Sequence, residues 1–264
     1  GPVMTILKTD SVHKEFGGLM ALKNLSLEVP KGSIVSLIGP NGAGKTTLFN
    51  CVTGTLPAES GSIRFGDQDI TRSRPHDVAA LGVARTFQHI RLFKKMTVLQ
   101  NVLVGNHHRT RTGLVSALLR PGWVAREEQD SREKSLEILA LFKERLLPRI
   151  NEPAESLSYA NQRRLEIARA LVSGPELLLL DEPTAGMNPH ETQGIVDLIY
   201  QLKDRGHTVF LIEHKMRVVM TISDRVIVLD HGEKIAEGKP DEIAANDEVA
   251  EAYMGRRDRR ASFD

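Results

Sequence analysis

The run Gly39-Pro40-Asn41-Gly42-Ala43-Gly44-Lys45-Thr46-Thr47 narrows the folds open to this chain more than any other feature. It fits G-x-x-x-x-G-K-[ST], a phosphate-binding loop that works between a buried strand and the helix after it. Both flanks are present. Ile34 to Ile38 reads as a short buried strand, and Lys45 to Val52 as a helix start. Glycines at 42 and 44 lift the Cβ barrier to unusual backbone angles, so successive N–H groups can turn inward on phosphate oxygens. The helix N-terminus adds a positive field. In such a loop Lys45 reaches the β- and γ-phosphates and the Thr46 hydroxyl ligates Mg²⁺. A glycine-rich turn with a chance lysine is the bland alternative, and the complete motif in strand–loop–helix context makes it a poor one. Asn41, Gly42, Ala43, Gly44, Lys45, Thr46 and Thr47 therefore form the core of a nucleotide site.

The remainder reads as an α/β chain around that loop. Residues 4 to 38 alternate apolar and polar positions with turns at Gly17-Gly18 and Pro30-Lys31-Gly32, and Ser62 to Phe65 is a further short strand. Pro75 to Leu81 reads as a short helix and Val83 to Thr86 as a strand. From Thr97 to Leu147 the pattern turns helical, with Glu127 to Leu147 a charged amphipathic helix burying Leu136, Leu139 and Leu141. Between them Gly113 to Trp123 is apolar but broken by Pro and Gly, so a helical subdomain is expected as an insertion in the core. The core resumes with a helix over 161–172, an all-apolar strand at Leu177 to Leu180 and a helix over 190–204. A strand at Thr208 to Ile212, a hairpin around His231-Gly232 and a helix from Asp241 to Gly255 complete it. Gly1 to Val3 reads as a tag-cleavage remnant, and 256–264 as a basic tail.

Composition limits the partners. Lysine and arginine total 35 against 34 acidic residues, a balance that argues against a general nucleic-acid binder. The single cysteine, Cys51, precludes an intrachain disulfide and fits a reducing compartment. No run of 18 apolar residues and no signal-peptide plan is present, so the chain is expected not to cross a membrane itself.

Four polar features share one position: each comes directly after an expected strand. They are the loop at 39–47, Gln88, the pair Asp181-Glu182, and His214. In a parallel sheet all strand C-terminal ends lie on one edge, so these residues can converge. Asp181 can hold Mg²⁺, and Glu182 is the natural candidate to polarise an attacking water. His214 and Gln88 are weak signals by themselves, since a lone histidine after a strand is more often structural. Ser158, ahead of the helix at 161–172, reads as an anion-binding loop or as a simple N-cap, with the cap preferred.

In this order the motifs resemble the nucleotide-binding subunits of ABC transporters over the whole length from Met4. Ala84-Arg85-Thr86-Phe87-Gln88-His89-Ile90, Arg163-Arg164-Leu165-Glu166, Ala185-Gly186-Met187-Asn188-Pro189 and Leu211-Ile212-Glu213-His214 look closer still to the LivG-type subunits of branched-chain amino acid importers. The resemblance implies a P-loop NTPase (RecA-like) core with a mostly parallel sheet, an N-terminal antiparallel β subdomain and an inserted helical subdomain. One cassette would span 4–264, with 4–94 and 163–255 as core and 95–162 as the helical part carrying the signature loop. It further implies that Phe16 stacks on adenine, that Gln88 links metal and water to a membrane partner, and that His214 is the switch histidine. Ser158 and Ala160 would meet the γ-phosphate bound by an opposite subunit, and Ala185 to Asn188 would cross the dimer interface. Two departures stand out. Tyr159-Ala160-Asn161 replaces the usual Gly-Gly-Gln after Leu-Ser, placing a methyl where glycine lets backbone approach phosphate, and Asn188 replaces aspartate.

The same resemblance implies an ATP hydrolase with catalytic Glu182, His214, Lys45 and Gln88, and with Thr46, Gln88 and Asp181 at Mg²⁺. The implied partners are membrane permease subunits, a second ATPase subunit and, indirectly, a solute-binding protein, at the cytoplasmic face of a bacterial inner membrane. Rival readings are a non-transport ABC ATPase, an ATP-sensing regulatory subunit and, last, a P-loop kinase.

Overall fold

The computed structural model describes residues 4–106 and 122–254. Two sheets organise them. Strands β1 (Thr5–Phe16), β2 (Leu19–Pro30), β4 (Ser60–Phe65) and β5 (Gln68–Asp69) form an antiparallel sheet in the order β2-β1-β4-β5. The second sheet holds β3 (Ile34–Ile38), β6 (Val83–Arg85), β7 (Leu177–Asp181), β8 (Thr208–Ile212), β9 (Arg225–Asp230) and β10 (Glu233–Gly238), in the order β10-β9-β3-β8-β7-β6. All its pairings are parallel except the β9–β10 hairpin. Strands β3, β7 and β8 are buried at every residue, as continuous apolar runs in a doubly covered sheet should be.

Alternation along those strands divides the core. Leu177, Leu179, Phe210, Ile212, Val35 and Leu37 pack with helix α1 (Lys45–Val52) and with the antiparallel sheet. Leu178, Leu180, Val209 and Leu211 pack on the opposite side with α5 (Tyr159–Leu171) and α6 (Pro189–Asp204). The expected α/β architecture is thus present, with α1 sharing one core with both sheets. Phe49 of α1 meets Phe210 of β8 at a ring-centroid separation of 5.1 Å and an interplanar angle of 56°, a tilted aromatic pair beneath the phosphate-binding loop.

Helices α2 (Pro75–Leu81), α3 (Val98–Asn106) and α4 (Gly122–Ala140) come next in the chain, the first of them within the expected bounds. The last two belong to the helical part, whose start and return are stitched together. Val98 N–H donates to Glu152 O at 2.9 Å and Leu99 N–H to Ile150 O at 3.0 Å. The region between α3 and α4, including most of the apolar stretch at 113–123, lies outside the described residues. Two expected helices are shorter than their apolar pattern suggested. The one over 127–147 stops at Ala140; Lys143 takes φ +43°, and 143–145 and 147–149 form separate 3₁₀ turns. Leu139 is buried as expected, Leu136 and Leu141 only in part. The one over 241–255 divides into α8 (Pro240–Ala244) and α9 (Asp247–Met254), after α7 (Met216–Ile222). There Asn246 Oδ1 accepts from the N–H groups of Glu248 and Val249 and starts a new helix. The expected boundary at 162/163 falls inside α5, which runs unbroken from one part into the other. No helix among the described residues is long and apolar enough to cross a membrane.

Candidate functional site

Strand β3 runs into α1 through the loop 39–44, and the loop's shape is set by its glycines. Gly44 takes φ +107°, and a Cβ there would fall 2.5 Å from Ala21 O, so the loop can seat on β2 only with glycine. Gly42 takes φ +80° with nothing within 4 Å of its absent Cβ, which leaves an open cradle above the backbone. The loop is latched from beside: Gly232 N–H donates to Ala43 O and Lys23 N–H to Gly232 O, each at 2.9 Å. Lys45 folds back over the loop, its Nζ donating to Gly39 O at 2.6 Å and Pro40 O at 3.0 Å.

A cleft of about 730 Å³ opens over this loop. Asn41, Gly42, Ala43, Gly44, Lys45, Thr46 and Thr47 line it, together with Phe16, Gln88, Glu182 and His214. The strand-end residues therefore do converge. Phe16 stands at its mouth, 46 % exposed, with the Lys14 ammonium 5.1 Å from the ring centroid. Glu182 takes φ +49°, a left-handed conformation that costs a non-glycine residue on the order of 1 kcal/mol. Its N–H donates to Ile212 O at 2.9 Å, anchoring that geometry on β8. The carboxylate then meets both neighbours: His214 Nε2 lies 2.7 Å from Oε1, and Gln88 Nε2 donates to Oε2 at 3.3 Å. This arrangement can hold a water beside whatever the loop cradles.

Asp181 does not line the cleft directly. It is buried against Arg85, whose Nη2 donates to Oδ2 at 3.2 Å, while Oδ1 is buried without a partner. Desolvation pushes the carboxyl upward from its usual range and Arg85 opposes this. An orphaned carboxylate oxygen behind a threonine-bearing phosphate loop fits a water-ligated divalent cation. Thr46 and Gln88 are on the same cleft and can complete such a site.

Ser158 and Ala160 lie apart from that cleft. Ser158 is the N-cap of α5, its Oγ accepting from Asn161 N–H at 3.3 Å. Ala160 is buried, in helix and without positive φ, so its methyl strains nothing. Asn188 caps α6 in a full capping box with Glu191, a task asparagine and aspartate perform alike. Ser158→Ala is expected to lower stability by about 1 kcal/mol through the lost cap, read from the urea midpoint; a larger loss of turnover than of stability would separate a contact role from the cap.

Several supporting residues carry no role that their sequence context assigns. Arg163 is fully buried and donates to Phe87 O at 2.6 Å, Gln88 O at 2.7 Å and Glu166 Oε2 at 2.7 Å, joining α5 to the Gln88 turn. Glu213, buried and pushed upward in pKa by desolvation, accepts from Thr184 Oγ1 at 2.9 Å. Lys215 Nζ donates to Thr184 O, Met187 O and Thr192 Oγ1, fixing the 184–187 loop. Arg163 lies in a stretch that carries the family resemblance, but its contact with the Gln88 turn has no signal in the residue spacing.

The sequence and the fold also match known proteins. The family model described as "ABC transporter" matches residues 22–185, and that described as "Branched-chain amino acid ATP-binding cassette transporter" matches 233–259. The chain is similar to the "High-affinity branched-chain amino acid transport ATP-binding protein LivG" of Escherichia coli (strain K12), 45% identical over 253 residues, covering 95% of this chain and 98% of that protein. Among solved structures it is similar to the ADP conformation of an ATP-binding cassette of an ABC transporter, with TM-score 0.83 and 36% identity, covering 96% and 99% of the two chains. It is also similar to a dimeric post-hydrolysis ATP-binding cassette bound to ADP and Pi, with TM-score 0.73 and 27% identity, covering 89% and 98%.

Proposed function

The chain belongs to the ATP-binding cassette family of ABC transporters, and from that premise we propose that it is the ATP-hydrolysing subunit of an importer for branched-chain or related amino acids. The observation that carries the hydrolytic reading is the contact of Glu182 with both His214 and Gln88 over the 39–47 loop, within one cleft. The cargo class rests on the LivG-type relatives and on the match over 233–259.

In this reading Phe16 stacks on adenine, and the loop N–H groups with Lys45 hold the phosphates. Thr46, Gln88 and Asp181 would hold Mg²⁺, which would supply neutralisation of the phosphate charge. Glu182 orients a water and takes its proton as the water oxygen bonds to the γ-phosphorus. The bond to the β,γ-bridging oxygen breaks, leaving ADP and phosphate. His214, already on the Glu182 carboxylate, holds the base and donates toward the γ-oxygens.

Two cassettes face each other so that Ser158 and the backbone at Ala160 of one meet the nucleotide of the other. The separation of these residues from the chain's own cleft supports that division. The cassette is 4–264, peripheral at the cytoplasmic face of the inner membrane, and works with permease subunits and a solute-binding protein. A groove of about 530 Å³ between α2 and α5, lined by Arg85, Phe87, Glu166 and Arg169, adjoins the Gln88 turn and suits a permease segment.

Co-purification of the native complex is expected to recover membrane permeases, with ATP turnover rising when a leucine-loaded solute-binding protein is added. A preparation that retains ATPase activity but brings down no membrane protein would discard the transport assignment and leave the nucleotide site standing.

A further inference from the structure

Away from the nucleotide cleft, Arg164 is a mostly buried charge with no ion-pair partner among the described residues. Arg164 of α5 is 7 % exposed, and its hydrogen bonding among the described residues is a single donation from Nη1 to Asn161 Oδ1 at 2.9 Å. Other buried arginines are paired: Arg163 with Glu166 at 2.7 Å, Arg85 with Asp181 at 3.2 Å. The Nε and Nη2 of Arg164 are not sealed from water, so the guanidinium reaches the solvent of the adjoining cleft.

Arg164 lines a cleft of about 400 Å³ between the 141–145 turn and α6. That volume lies in the range of small-molecule sites, roughly 300–1,000 Å³. Its Nη2 stands 2.6 Å from where a Cβ on Gly194 would fall, so the glycine on α6 keeps this side of the guanidinium clear. Arg145 enters from the turn with its own charge and works against Arg164, whose pKa is lowered by desolvation first and by Arg145 second. Of the nearby carboxylates, Asp197 and Glu144 line the same cleft, and none is ion-paired with Arg164. Asp197 Oδ1 accepts from Gln193 Nε2 at 2.9 Å, and Glu191 Oε2 from the Asn188 N–H at 3.1 Å, though Glu191 attracts Arg164 from a distance. Glu144 is exposed at the rim. Two cations held near one another over a polar hollow are the electrostatic form of an anion site.

We infer that this cleft binds a small molecule bearing a phosphate or a carboxylate, its anionic group seated between Arg164 and Arg145. Apolar side chains of Leu141, Phe142 and Leu198 in the same lining give the ligand body a place to rest. The occupant would bridge α5, which opens at Ser158, and α6, which comes after the 184–187 loop.

The test uses the full chain with its nucleotide cleft filled by a non-hydrolysable ATP analogue and Mg²⁺, so that the phosphate loop cannot bind the probe. Inorganic phosphate and, separately, succinate are titrated calorimetrically at constant ionic strength. Saturable binding of at least one is expected by about 20 mM, the preference between them naming the anion class. Arg145→Gln, on an exposed residue, is expected to weaken it about tenfold or more. Gly194→Ala, which keeps every charge, is expected to weaken it by a smaller factor, since the end of the Arg164 side chain must shift away from the new methyl. Thermal melts near that of the parent confirm folding of each variant. Neither anion binding to the parent, or an affinity unchanged in Arg145→Gln, overturns the inference. Because the nucleotide analogue is bound throughout, that result leaves the hydrolytic assignment intact.

Discussion

Glu182→Gln is expected to cut ATP turnover by about 10²–10³-fold or more while nucleotide affinity stays within a few-fold of the parent. The substitution keeps the shape that Gln88 and His214 pack against and removes only the ability to accept a proton. In the proposed reading affinity is held by different groups, the loop N–H donors, Lys45 and Phe16, so it should survive. Phosphate release and binding of a fluorescent ATP analogue, measured on the same preparation, separate the two quantities. Turnover equal to that of the parent would remove Glu182 from the base role. A parallel fall in affinity would instead mean that the carboxylate shapes the cleft. In the proposed facing pair, a variant that binds but does not cleave ATP should accumulate as a closed dimer by gel filtration.

Lys45→Ala should behave differently, lowering affinity and turnover together. Its ammonium is held by Gly39 O and Pro40 O at the base of the loop, within reach of the cradle. A lysine on phosphate contributes charge-assisted contacts of about 1.5–3 kcal/mol each, so a loss of roughly 10–100-fold in ATP affinity is the expected scale, with turnover at saturation also reduced. The two variants should therefore part company. Glu182→Gln should bind without hydrolysing, and Lys45→Ala should do neither at ordinary nucleotide concentration. If Lys45→Ala bound ATP as the parent does, the phosphates would be seated elsewhere in the cleft.

These expectations rest on residues whose placement is mostly legible in the sequence. The strand Ile34–Ile38 and the helix from Lys45 are readable because an unbroken apolar run ending in glycines has few alternatives. Convergence of Gln88, Glu182 and His214 is a consequence of parallel topology alone, since strand ends of one sheet share an edge. The rest is set by backbone events that periodicity does not encode. Leu141 and Phe142 prolong the apolar spacing of α4, yet the chain turns at Lys143 into a left-handed conformation. Asn246 carries a readable signal, as the cap that divides the C-terminal helix. The partners of Asp181 and Gln88 are beyond reach because each is an arginine distant in sequence, chosen by burial rather than by motif. At Ala160 and Asn188 the substituted residues meet the helix geometry of their own chain.

Arg163 gives the molecule a mechanical property. One guanidinium grips the carbonyls of Phe87 and Gln88 on one side and Glu166 on the other, with no exposed surface. The turn that reads a chain's own cleft and the helix that opens at Ser158 are therefore ends of a single rocker. In a facing pair, a tilt at one cleft would be delivered to the other as the same tilt, with no intervening joint to absorb it. Two such rockers, crossed, would keep the two halves in step: neither cleft could close fully ahead of its neighbour.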